Sequence, residues 1–515
     1  MRVALIREGT SPYRDGAIGT WCQRLATGLS EYRFHLVTVL DATARRPRGR
    51  SEPPAPADQS TPDGMTTTTV WLASRPLVPD WGPAARRRRR AGTHAAVLLC
   101  RGMLEDGQHS AAMFRSGLRG LAVIAADGTH PLGGVPLAPI LLDAWRAGAG
   151  PATTVARLTG RSPGTGLPWP ALRDAQVTAR VLERAVRALC VPVPGVDLCH
   201  AANGGLATLV ALAEKWRRGV PYVLTEHDLY LHAPLIGQSA GRPAVRALLL
   251  RFLRALTRLG YAEADAIALP TDRTRRWAMR HGAEREVLRV VPPGVDPREH
   301  PQLRDEPADP AVVWFGPEDE LPLILAAFGT LRGTVPDARL IVAGPERSLP
   351  PGERVTFTGS VTDRRELYPA ARVVVISGRC DGMPYPLIES MLRGRATVCT
   401  DNGGLAAMAG MGALVVPPAD PDRLAAACAN LLTDARLRRE YGTAARHRAR
   451  TLFSLGAMLD GFRTEYGRVL AQRPTPSAPD APSQTGRPTG LGRGAAPDAP
   501  SQTSHSVAAR DGVLA

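Results

Sequence analysis

Lysine is almost absent from this chain. Of its 64 basic residues only Lys215 is lysine, so its positive charge is carried by arginine. Aromatic residues are few, at 5%. No aromatic pattern is interleaved with the densest basic run, Arg86 to Arg90, which leaves a stacking platform for single-stranded nucleic acid without support. Seven cysteines stand at positions 22, 100, 190, 199, 380, 399 and 428, odd in number and with no C-x-x-C pair, a distribution that argues against a disulfide framework or a zinc site. Long hydrophobic runs are also missing. None approaches the ~20 residues of a membrane span; the apolar run at 248–250 is broken by Arg246, Arg251 and Arg254. The opening Val3-Ala4-Leu5-Ile6 is too short for a signal peptide. The expectation is a cytoplasmic protein, with peripheral contact at the inner membrane face left open.

What is abundant is Ala, Gly, Pro and Arg. The formal net charge of +16 reads either as an attraction for an anionic partner or as a solvated, arginine-biased surface from a GC-rich genome. The second reading is favoured, and no nucleic acid partner is expected. The Arg86 to Arg90 run reads as a solvated loop, with anionic lipid headgroups as its functional alternative.

A length of 515 residues exceeds one ordinary core. The chain opens with an apolar strand at 2–7, a polar Gly/Pro/Ser loop at 8–19, a helical face at 20–29 and a strand at 34–40. This is the start of a doubly wound parallel sheet. Polar, Pro-rich stretches near 41–69 and 78–92 read as disordered insertions, followed by a helical stretch over 95–147. Alternation of strand and helix resumes after Pro194, is interrupted by a linker at 292–310, and restarts with a strand at 312–315. Further strands are predicted at 339–343, 373–377, 397–400 and 414–416, and helices at 321–331, 386–393, 420–432, 435–450 and 455–470. The fold class is α/β. The expected domains are 1–300, 301–455 and a terminal helix at 456–470 that packs back on the first domain. A Pro/Ala-rich tail at 471–515, in which the octet Ala-Pro-Asp-Ala-Pro-Ser-Gln-Thr occurs twice, cannot bury enough apolar surface to fold.

Open parallel sheets bind ligands outside the carboxyl ends of their strands. At one such end, Asp381-Gly382-Met383-Pro384-Tyr385-Pro386-Leu387-Ile388-Glu389 follows the strand at 373–377 directly. The prolines suit a first helical turn. Asp381 and Glu389 could each accept two hydrogen bonds from a vicinal diol; from the pattern alone, Asp381 as a helix cap and Glu389 as a solvated acid is the favoured reading. In the first half, His200 and His227 stand at strand ends, where a histidine is more often packed than catalytic. No Asp-x-Asp cluster suggests a metal.

The same segment, with Met391 and the turn Gly403-Gly404, resembles the donor-binding segment of the family four retaining glycosyltransferases. Glu8 to Tyr13, Gly16, Trp21, Leu25, Gly28-Leu29, Thr225-Glu226-His227 and Pro292 to Asp296 are similar to the branch that serves Pel exopolysaccharide synthesis. The resemblance covers about residues 1 to 470. It implies the GT-B fold, two Rossmann-like domains facing each other across a cleft. It implies a nucleotide-sugar donor and transfer with retention, with no cofactor and no metal. The partners it implies are the nucleotide sugar and a glycan or lipid-linked acceptor. By this resemblance His227 and Asp381 take catalytic positions at the donor sugar. Gly16, Gly19, Gly382, Met383, Pro384, Leu387 and Glu389 surround the donor, with Glu389 on the ribose. The sequence departs from the family where an arginine and a lysine normally grip the diphosphate: Pro317 and the acids Glu318, Asp319 and Glu320 stand there. Two readings follow, a hexosyltransferase with UDP-glucose as first donor, or a degenerate relative that binds a glycan or a partner without turnover.

Overall fold

The computed structural model describes residues 1–9, 17–41, 59–60, 65–72, 82–105, 107–149, 167–227, 241–343, 354–359, 363–378 and 383–472. The expectations for residues 42–58, for 73–81 and for the tail from 473 onward lie outside the described residues.

The first sheet contains β1 (Arg2–Gly9), β2 (Arg33–Asp41), β3 (Gln59–Ser60), β4 (Thr66–Leu72), β5 (Leu198–Ala201), β6 (Tyr222–Thr225), β7 (Ala266–Leu269) and β8 (Leu288–Val290). Its order is β3-β4-β2-β1-β5-β6-β7-β8, parallel throughout except for β3 against β4. The helices among these strands are α1 (Ala17–Gly28), α2 (Pro83–Leu104), α3 (Ser110–Ile124), α4 (Leu137–Ala149), α5 (Leu172–Val186), α6 (Leu206–Arg218), α7 (Pro243–Glu263) and α8 (Asp272–Arg280). The second sheet is formed by β9 (Ala311–Phe315), β10 (Arg339–Val342), β11 (Val355–Phe357), β12 (Val373–Ile376), β13 (Ala396–Thr400) and β14 (Leu414–Val416). It is wholly parallel, in the order β11-β10-β9-β12-β13-β14. With it go α9 (Leu321–Thr334), α10 (Tyr385–Arg393), α11 (Leu405–Ala409), α12 (Pro421–Thr433) and α13 (Ala435–Leu452); α14 (Leu455–Ala471) closes the described chain.

The apolar runs form strands because a parallel sheet is covered on both faces. In β1, Val3 and Leu5 join one core while Ala4 and Ile6 join another, the two-residue alternation of a strand. One core lies under α2 to α7. The other collects Trp21 and Leu25 of α1, Phe462 and Tyr466 of α14, Phe315 and Ile376 of the second sheet, and Leu387 and Met391 of α10. Both sheets therefore share one continuous apolar cluster. A third cluster seats α9 and α12 on the far face of the second sheet. Helix α14 is fixed to the first sheet by polar contacts: Arg468 Nη2 donates to the Asp265 carbonyl at 2.9 Å, and Arg289 Nε lies 3.1 Å from Glu465 Oε1.

Two stretches expected to be loop are regular structure. Residues 66–69, the end of the first insertion, belong to β4, since four consecutive threonines, being β-branched, suit a strand. Residues 83–92 form the start of α2, with Pro83 in its first turn. Arginine is a good helix former, and the run Arg86 to Arg90 is solvated on a helix whose other face buries Gly92, Ala95, Ala96 and Leu99.

Helices α2 and α3 approach closely through facing glycines. A Cβ on Gly117 would lie 2.6 Å from the backbone nitrogen of Leu99, and one on Gly102 would collide with the backbone of Phe114. Both obstacles are backbone, so the helices themselves must separate. We expect Gly117→Ala to lower stability by roughly 1–3 kcal/mol, the cost of overpacking, despite alanine's better helix propensity. Urea unfolding checks this; an unchanged midpoint would show that the helices part freely.

Candidate active site at the carboxyl ends of the strands

Strand β6 ends at Thr225 and is followed by Glu226 and His227. His227 is buried, 3% exposed, with its ring edge-on to Trp21 at 4.5 Å between centroids. Its Nε2 has no hydrogen-bond partner among the described residues. Burial lowers its pKa from 6.5 to about 3, so the imidazole is neutral at physiological pH. His200, one strand away, is different. Its Nδ1 lies 2.6 Å from the Tyr466 hydroxyl and its Nε2 2.6 Å from Thr225 Oγ1. Both ring nitrogens are used, which makes His200 a packing residue. Glu226 is likewise engaged, accepting from the Tyr261 hydroxyl at 2.9 Å.

Glu8, at the carboxyl end of β1, accepts from the backbone N–H of Leu206 at 3.3 Å, and its own N–H donates to Asn203 Oδ1 at 3.1 Å. A carboxylate is thereby set at the positive end of α6. Gly19 is buried in the first turn of α1. Gly16 lies outside the described residues.

In the second sheet, Asp381 and Gly382 lie outside the described residues. Met383 is buried and Pro384 caps α10. Leu387 is wholly buried in the shared core, and its N–H donates to the Pro384 carbonyl at 3.0 Å. Its side chain is packing that sets the rotation of α10. Glu389, two residues on, is 6% exposed. One carboxylate oxygen accepts from the Tyr368 hydroxyl at 2.8 Å, and the other lies 3.6 Å from Arg364 Nη2, beyond a good hydrogen bond. Arg364 is half exposed. Burial, then the Glu389 charge, holds the Tyr368 phenol well above its ordinary pKa, so it donates. The Arg393 guanidinium lies 5.4 Å over the Tyr368 ring. Thr400 Oγ1, at the end of β13, is buried with no partner among the described residues.

Pro317 fills a defined space. Gly378 has φ 99°, and a Cβ there would collide with the Pro317 ring. The two close-packed residues follow β9 and β12, with Trp314 Nε1 donating to Ser377 Oγ at 2.8 Å beneath them. At position 317 itself the side chain is uncharged.

Helix α1 links the two sets of residues. Trp21 meets His227, and Arg24, one turn further on the same face, stacks over the Tyr385 ring at 5.0 Å. Arg24 Nη1 also donates to the Gly294 carbonyl at 3.1 Å. The sequence did not disclose Arg24 as a tether between elements, because its partners lie hundreds of residues away. Among the described residues no cluster of His, Cys, Asp and Glu could hold a metal, and no helix is long and apolar enough to cross a membrane.

Two parallel α/β sheets that share an apolar core form the GT-B architecture. Sucrose-phosphate synthase from Thermosynechococcus elongatus has this fold at a TM-score of 0.55 and 17% identity, over 92% of this chain and 100% of that one. HepE from Anabaena, crystallised with UDP, matches at a TM-score of 0.51 and 13% identity, over 91% and 100%. The family model for glycosyl transferases group 1 matches residues 310–434, and one for a domain of unknown function (DUF3492) matches residues 1–61 and 165–286. The D-inositol 3-phosphate glycosyltransferase of Nocardia farcinica is 30% identical over 334 residues, 57% of this chain and 70% of the relative. The mannosylfructose-phosphate synthase of Agrobacterium fabrum is 28% identical over 209 residues, 34% of this chain and 46% of the relative. The chain belongs to the group 1 glycosyltransferases.

Proposed function

We propose that the chain transfers a hexose from a nucleoside-diphosphate sugar, UDP-glucose first, to a glycan or lipid-linked acceptor with retention at the anomeric carbon, in the Pel-like branch of its family. The observation that carries this reading is α1, whose Trp21 meets His227 and whose Arg24, one helical turn further on, meets the start of α10. A donor seated there meets a neutral imidazole at its sugar and the Glu389 carboxylate at its ribose. The family resemblance assigns Gly16 and Gly19 to the diphosphate, and Asp381, Gly382, Met383 and Pro384 to the sugar. Retention follows from attack on the face that the diphosphate leaves, with a diphosphate oxygen taking the acceptor's proton.

The leaving group's charge needs a cation, since electrostatic stabilisation is usually the largest catalytic contribution. Pro317 supplies none. Arg24 is committed to the Gly294 carbonyl and Tyr385. Arg364 is half exposed and weakly held by Glu389, so in this reading it swings to the nucleotide and releases the carboxylate for the ribose hydroxyls. Calorimetry with UDP, GDP and UDP-glucose tests it. One nucleotide is expected to bind saturably, with Arg364→Ala weakening it about tenfold, as for a lost charge-assisted hydrogen bond. The packing of Pro317 on Gly378 favours the second reading, a subunit that binds a glycan or partner without turnover. Absence of nucleotide binding at millimolar concentration would sink the first reading and leave the second standing.

A further inference from the structure

A second recess lies away from the proposed donor site. A cavity of about 630 Å³ opens between α2, α3 and the second half of α7. Helix α7 follows β6, whose carboxyl end carries His227, and runs back to Glu263, just before β7 begins. Its second half therefore sits at the amino end of the sheet, opposite the cleft. Helices α2 and α3 fall within residues 62–164, outside both stretches matched by the family model for the first half. The recess is thus built partly from a segment that this family model does not match.

Its floor is apolar, with Met103, Phe114 and Leu259 all buried. Its rim is cationic. Arg115 is paired with Glu263 at 2.6 Å, and Arg251 donates to the Leu104 carbonyl at 3.1 Å. Arg254 and Arg258 also line it, and neither has a hydrogen bond or ion pair among the described residues. They stand one turn apart on an exposed helix face, an arrangement in which like charges repel. The amino-terminal turn of α3, Ser110 to Ala112, lines the same recess and adds the positive end of a 15-residue helix. Among the described residues the acids on the rim are already engaged, Glu105 with Arg101 and Glu263 with Arg115.

We propose that this recess binds a small amphiphilic phosphate, a dianionic phosphate monoester on an apolar body. The phosphate sits between Arg254 and Arg258, where guanidinium forks match its oxygens. The apolar part lies on Met103, Phe114 and Leu259. The volume suits one small molecule held between helices; a bilayer would call for a projecting apolar face. Occupation would relieve the repulsion between the two arginines and tie α7 to the α2–α3 pair at a distance from the donor.

The test is calorimetry of the full chain with decyl phosphate below its micellar concentration. One saturable site is expected, weakened at least about tenfold in the double variant Arg254→Gln/Arg258→Gln. The variant should melt like the parent, because both side chains are exposed. Inorganic phosphate should bind about tenfold more weakly or worse, lacking the apolar contact, and saturating UDP should not displace decyl phosphate. Absence of saturable binding, or binding indifferent to the double variant, would overturn the proposal. So would inorganic phosphate binding as tightly, displacement by UDP, or arginine-dependent binding only to phosphatidylglycerol vesicles.

Discussion

Glu389→Ala is expected to reduce nucleotide affinity by about a hundredfold while the chain stays folded. The magnitude follows from losing two charge-assisted hydrogen bonds to a ribose diol, at about 1.5 kcal/mol each. The substitution also leaves the buried Tyr368 hydroxyl without its acceptor on Glu389, which costs roughly 1–3 kcal/mol of stability. These two effects must be separated, because a carboxylate that only steadies a tyrosine would also be sensitive to alanine. Tyr368→Phe separates them. It removes the same internal hydrogen bond but spares the carboxylate. If Glu389 binds the ribose, Tyr368→Phe retains nucleotide affinity within a few-fold while Glu389→Ala loses it. Equal losses in both variants, tracking their melting temperatures, would reduce Glu389 to a structural acid. Glu389→Gln adds a graded check: it still accepts from Tyr368, so it should melt near the parent yet bind nucleotide weakly.

Which parts of this site could be read from the sequence depends on distance along the chain. The strands were legible because parallel sheets buried on both faces demand continuous apolar runs. The predicted strands at 312–315, 373–377 and 414–416 lie within one residue of β9, β12 and β14. The helix at 386–393 was legible from its prolines and spacing, and begins one residue earlier. The partners of its functional acid were not. Tyr368 stands 21 residues before Glu389 in a short 3-10 turn, with nothing local to mark it as the donor. The two strand-end histidines look alike in sequence. They differ because Tyr466 arrives on His200 from α14, 266 residues later, and among the described residues no such partner reaches Nε2 of His227. The arginine run at 86–90 was misjudged for another reason. Its charge suggested solvent, correctly, but the backbone beneath is helical, because arginine's stem costs a helix little and the apolar face begins only at Gly92.

Acid should unfold this protein well before its carboxylates are protonated. His200 and His227 are buried and neutral, and burial lowers each pKa from 6.5 to about 3. Between pH 6.5 and 3 the unfolded chain binds protons at these positions that the native chain does not. Stability is therefore complete above the unfolded value and is lost as pH falls, by roughly 1.4 kcal/mol per pH unit per histidine. At pH 5 the two together remove about 4 kcal/mol, a large share of the ~5–15 kcal/mol of a typical domain. His300, buried and lowered to about 4, acts in the same direction. The acids with depressed values, Glu31, Asp127, Asp296, Glu306 and Asp363, lose their contribution only below about pH 4.5, so they do not share this window. Thermal melts from pH 8 to 4.5 should show a steep fall beginning near pH 6.5. His200→Gln should melt lower at pH 8, having lost its contacts with Tyr466 and Thr225, but should fall less steeply by about one proton. A slope unchanged in His200→Gln and His227→Gln would show that neither imidazole resists protonation. The two histidines are coupled physically through Trp21, whose ring is 5.5 Å from one and 4.5 Å from the other. Protonating His200 loosens α14 from β5 and with it the wall that holds Trp21 against His227. Donor binding should therefore fail in the same pH window as the fold.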